Sequence, residues 1–104
     1  MATLFVIEHS PGPGWSDGVA YREQPGIATH LDFMRSLHDR GAMVLGGPFL
    51  DEPDGAHVGM AVVQAESLEA AEELAAEDAS VRAGLLRYRV RPWMAAMGTA
   101  LGEG

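Results

Sequence analysis

Apolar and polar positions alternate along some stretches of this chain and recur every three to four residues along others, and the switches between the two periods divide it into six segments. Residues 3–9, TLFVIEH, are rich in β-branched and aromatic types and end at SPGPG, so they predict a first strand. The stretch 10–24 has neither period and carries Trp15, Tyr21 and Arg22, which predicts a long loop with a covering role. Pro25 suits the first turn of a helix and Gly41 its end, placing helix one over 25–40. AMVLGGPFL (42–50) and AHVGMAVVQA (56–65) then read as two strands joined by the turn DEPDG. Ser67 caps a second helix, LEAAEELAAEDA (68–79), and LLRYRVRPW (85–93) is the last strand.

The order βαββαβ predicts an α+β, ferredoxin-like fold: a four-stranded antiparallel sheet with both helices on one face. That arrangement leaves the other sheet face bare. In the third strand Val58, Met60 and Val62 point one way and Gly59, Ala61 and Val63 the other, so both faces read as buried, and a homodimer through the sheet is expected. One domain over 1–94 and a flexible Gly/Ala-rich tail over 95–104 complete the organisation.

Within helix one, a wheel of roughly 100° per residue gathers Ile27, Leu31, Met34 and Leu37 on one arc, with His30 and His38 inside it and Phe33 outside. His38 reads as a packing residue. Helix two has its stripe at Leu68, Ala71, Leu74 and Ala75, and Asp78 continues it where an apolar residue is expected. A carboxylate on that face either emerges at the helix end or meets a donor, for which His30 is a candidate, although the start of one helix and the end of the other meet only if a bend intervenes. His9 at the end of strand one and Arg22 in the loop are candidates to approach the first turn of helix one, where free N–H groups favour an anion. Arg87, Arg89 and Arg91 share one face of the last strand, a ladder that fits an anion pocket but is more often an edge strand guarded by charge or one paired with acidic neighbours across a dimer contact.

Charge and composition narrow the chemistry. With 104 residues, no cysteine and a formal charge of −8, the chain disfavours nucleic acid and anionic membranes and excludes disulfide and thiolate chemistry. It carries no basic start followed by a long apolar run, so a cytoplasmic location is the expectation. His30 and His38 are about 12 Å apart along the helix, and HExxH, GxGxxG and GxSxG are absent, so no metal or other cofactor is expected. What remains is proton transfer, for which an imidazole is suited.

The segments THLDFMRSL, GAMVLGGPF, AESLEAAEELAAEDASVRAGL and RVRPW together resemble the YCII-related (YciI-like) family of the dimeric α+β barrel superfamily, over nearly the whole chain. The resemblance implies a site made of His30 and Asp78, with Ala79 standing where the family usually has proline. It also implies small aromatic-derived, enolisable or lactone-like substrates, and elimination, isomerisation or cyclisation as the reaction. His30 is then expected to act as general acid/base, Asp78 to orient it, and His9 and Arg22 to contact substrate. A non-catalytic ligand-binding dimer and a cofactor-free monooxygenase are the alternatives.

Overall fold

The computed structural model describes residues 2–51 and 58–98. Its elements are β1 (Ala2–Pro11), α1 (Ile27–Asp39), β2 (Met43–Pro48), β3 (Gly59–Val63), α2 (Leu68–Ala75), α3 (Ala79–Arg82) and β4 (Leu86–Ala95), with a single 3₁₀ turn at Tyr21–Glu23. The four strands form one antiparallel sheet in the order β2-β3-β1-β4. This is the ferredoxin-like arrangement. Most of the expected turn (52–55), the start of the expected third strand (56–57) and the end of the tail (99–104) lie outside the described residues.

Alternation in β1 decides which face meets the helices. Phe5, Ile7 and His9 point toward them, opposite Val63, Ala61 and Gly59 of β3, and the core closes around Phe33 and Leu37 of α1 and Ala71 and Ala75 of α2. β1 is longer than expected: it stays paired with β4 as far as Pro11 opposite Leu86. The proline lies beyond the register of β1 with β3, which ends at His9 opposite Gly59, so it interrupts no pair of that ladder.

The helices also differ from the expectation. α1 begins at Ile27 behind Gly26, whose φ of 90° is accessible to glycine, so Pro25 stands just before the helix. Phe33 is buried, and His38 is exposed at the C-terminal end of α1. The apolar arc of the sequence therefore divides in space: Ile27, His30, Phe33 and Leu37 face inward, while Leu31 and Met34 flank a cavity. Helix two stops at Ala75, and Leu68 at its first position is exposed. The chain then bends and restarts as α3 with Asp78 as its N-cap.

The long loop after β1 is tied down by its own hydrogen bonds. Gln24 is buried and bonds three backbone groups: its Oε1 accepts from Ser16 N–H at 2.9 Å, and its Nε2 donates to Ser16 O at 2.8 Å and Val19 O at 2.7 Å. Upstream, Gly12 N–H donates to Leu85 O at 2.8 Å, and a Cβ at position 12 would lie 2.3 Å from Gly84 O. Only glycine allows that approach. Trp15 and Tyr21 consequently pack on a second cluster of Ile27, Val58, Leu85 and Leu86, so the loop covers one end of the sheet. Among the described residues no helix is long and apolar enough to cross a membrane.

Candidate active site

Asp78 owes its place to the break between α2 and α3. As N-cap of α3 its Oδ1 accepts from Ser80 N–H at 2.9 Å and from Ser80 Oγ–H at 2.7 Å, which satisfies a helix-end donor and fixes the carboxylate plane. Its other oxygen, Oδ2, is 2.6 Å from Nδ1 of His30, one turn into α1. The bend expected to be required for this contact is present. Both residues are buried, Asp78 completely.

The electrostatics settle which atom donates. Burial alone would raise the Asp78 carboxyl, but hydrogen bonds from His30 and Ser80, together with the attraction of His30 whenever that ring is protonated, hold it below its ordinary value. An ionised carboxylate only accepts, so Nδ1–H of His30 donates to Oδ2, and Nε2 is the ring nitrogen left for an occupant of the cavity that His30 lines.

His9 joins this pair from the sheet. It packs edge-on against His30 with ring centroids 4.7 Å apart, and its Nε2 is 3.9 Å from Oδ2 of Asp78. That Nε2 is buried and has no hydrogen-bond partner among the described residues. Burial, and secondarily the charge of His30, lower the His9 pKa to about 4 against the pull of Asp78, so the ring is neutral near pH 7. His9 thus meets Asp78, and His30 near the start of α1.

His9 and His30, but not the Asp78 bonded to His30, line a cavity of about 290 Å³ between α1 and the β2–β3 edge of the sheet. Leu31, Met34 and Met43 make its apolar wall, and Tyr21 adds a phenol whose pKa is raised by burial. The glycines of β2 and β3 let the strands close beneath it: a Cβ on Gly59 would come to 2.6 Å from Gly47 O. Arg22 projects from the 3₁₀ turn as an exposed side chain and is not among the lining residues, whereas its neighbour Tyr21 is. His38 lines the outer part of the cavity, with Nδ1 3.4 Å from Asp39 Oδ1. The roles of Tyr21 and Ser80 and the approach of His9 to Asp78 were missed in the sequence, because they depend on the fold of the loop, on the α2–α3 bend and on strand register respectively.

A buried histidine–carboxylate pair whose imidazole lines a small, mostly apolar cavity on a ferredoxin-like scaffold defines the class of site. Residues 3–94 match the YCII-related domain, and the chain belongs to the YCII-related family. Among solved structures it is similar to 5-chloro-2-hydroxyhydroquinone dehydrochlorinase from Burkholderia phenoliruptrix AC1100, determined in complex with 2,5-dihydroxybenzoquinone. The TM-score is 0.61 at 21% identity, over 88% of this chain and 93% of that one. At that identity the likeness is one of fold. No curated protein matches the sequence.

The pH dependence of stability follows from these environments. Between pH 6.5 and about 4 the unfolded chain binds a proton at His9 that the folded protein refuses, so stability falls as the pH drops through that window. Asp78 acts in the same sense further down, its lowered pKa contributing stability that is lost as the carboxylate is protonated. Urea unfolding at a series of pH values is expected to show His9→Gln reducing the loss between pH 6.5 and about 4 by about 1–3 kcal/mol. An unchanged pH slope in the variant would contradict a neutral, buried His9.

Proposed function

We propose that this protein is an acid/base enzyme of the lyase or isomerase type that works without an organic cofactor on a small, enolisable, aromatic-derived substrate. The observation that carries this reading is the 2.6 Å bond between His30 and a fully buried Asp78, with His30 facing a cavity. A carboxylate that holds Nδ1–H leaves Nε2 with its lone pair toward the substrate, and it stabilises the imidazolium that forms when Nε2 takes a proton. The same nitrogen returns a proton later, which is what eliminations and isomerisations of enolisable rings require. Neutral His9 and Tyr21 are the proposed hydrogen-bond partners for substrate oxygens, and the cavity, at the small end for ligand sites, suits a single ring. The ligand of the similar dehydrochlorinase, a dihydroxylated quinone, is of that size and chemistry.

The test is chloride release from 5-chloro-2-hydroxyhydroquinone, beside a panel of hydroxylated quinones and unsaturated lactones, with oxygen uptake recorded in parallel. Turnover of one of these without oxygen uptake, reduced about 10²–10⁴-fold in a folded His30→Gln variant, is the expected result. Turnover that survives in His30→Gln removes His30 from the chemistry. Oxygen-dependent turnover would instead mean a monooxygenase, and tight binding of 2,5-dihydroxybenzoquinone with no turnover of any compound a ligand-binding protein.

The same reading includes a homodimer formed through the sheet face away from the helices. Val6, Glu8, Met60, Arg91 and Trp93 surround a shallow cleft on that face, and Leu45 and Trp93 remain 48% and 50% exposed in the single chain. Sedimentation velocity is expected to give the mass of two chains, and Val6→Glu the mass of one. A monomeric native protein at micromolar concentration would contradict the dimer.

A further inference from the structure

His9, His30 and Asp78 present a ligand set that neither the sequence spacing nor acid/base chemistry calls for. Each offers one ligand atom, and no two of the three atoms are more than 4.8 Å apart. From these positions the geometry points to a binding site for one divalent transition-metal ion of the zinc class, held by His9 Nε2, His30 Nδ1 and Asp78 Oδ2, beside the cavity that the two histidines line. The inference does not rest on the acid/base reading, only on the same side chains.

Three observations support it. The first is the composition of the cluster: two imidazoles and one carboxylate are the donor set that binds zinc with a position left open. The second is His9 Nε2, buried, without a hydrogen-bond partner among the described residues, and 3.9 Å from Oδ2. A buried ring nitrogen without a partner is costly, and a cation would satisfy it where a proton on His30 does not. The third is the fixing of the carboxylate. Ser80 takes Oδ1 with two hydrogen bonds, leaving Oδ2 free and oriented, as outer partners of metal ligands do.

The distances bracket what an ion needs. Bonds of about 2.0–2.1 Å in a tetrahedron require ligand atoms about 3.3 Å apart. Here His30 Nδ1 and Oδ2 are closer than this, at 2.6 Å, and His9 Nε2 and Oδ2 are further, at 3.9 Å. Rotating His30 outward and His9 inward corrects both. The ion takes the place of the proton between Nδ1 and Oδ2, and that proton moves to His30 Nε2 or to solvent. With its Nδ1 on the metal, His30 no longer has the Asp78-held tautomer, so metal loading and proton transfer by the pair exclude one another, and the ion is an inhibitor of the acid/base form. The acidity of the chain, −8 in formal charge, favours accumulation of a cation near the cavity.

The experiment uses the untagged, metal-depleted full chain titrated with cobalt(II) and zinc(II). One cobalt per chain, with the ligand-field spectrum of a low-coordinate ion, is expected, and one equivalent of zinc should move the imidazole NMR resonances of His9 and His30 together. His9→Gln should weaken binding more than about a hundredfold, and His38→Ala should leave it unchanged. Absence of binding, binding that survives in His9→Gln, or binding that His38→Ala abolishes would each overturn the site. The NMR experiment needs no variant, so a misfolded His9→Gln leaves it decisive. Failure here leaves the acid/base reading untouched, because that reading is tested by turnover and its loss in His30→Gln, not by metal binding.

Discussion

The Asp78 carboxylate is the constraint around which this small protein is arranged. An ionised group with no solvent exposure has to find its partners inside the fold, and Asp78 finds them on three elements: Ser80 at the start of α3, His30 on α1, and, at longer range, His9 at the end of β1. Removing one partner of such a pair leaves an uncompensated buried charge, which typically costs about 3–5 kcal/mol. Site and fold are therefore tied together. The bend between α2 and α3 brings Asp78 to α1, and that same bend ends α2 after only two turns.

The scaffold supplies what a proton-transfer site needs beyond the pair itself. Glycines in β2 and β3 allow close strand packing under the cavity, methionines give an adaptable apolar wall, and the loop held by Gln24 brings Tyr21 to the rim. Rigid support on one side and a soft wall on the other suit a site that fixes its acid/base group while accepting a ring. Among the described residues, the His9 nitrogen without a hydrogen-bond partner is the unbalanced element in this arrangement, and it lies 3.9 Å from the same carboxylate.

Much of this architecture is legible in the sequence because local patterns and topology agree. Alternation in TLFVIEH and the caps around helix one fix the element order, and the βαββαβ order leaves one common sheet arrangement. His30 and Asp78 stand out because each is polar where the helical period asks for an apolar residue, and the structure brings them into contact. Other features were not legible, for physical reasons. The Ala/Glu/Leu run of helix two reads as continuous, whereas the chain turns through i→i+3 bonds after Ala75 and the Asp78 side chain takes Ser80 N–H as the cap of α3. Phe33 and His38 were exchanged between inside and outside because a wheel cannot tell a core-facing arc from a cavity-facing one. The neighbourhood of His9 depends on the pairing of β1 with β3 and β4, which no local pattern encodes.

The central claim is that the Asp78 carboxylate fixes the tautomer of His30, and imidazole nitrogen NMR on metal-free protein near neutral pH measures this directly. The account predicts that neutral His30 carries its hydrogen on Nδ1, with Nε2 bare, and that Asp78→Asn abolishes this preference. A hydrogen on Nε2 in the native protein, or an Nδ1–H tautomer that persists unchanged in Asp78→Asn, would contradict it.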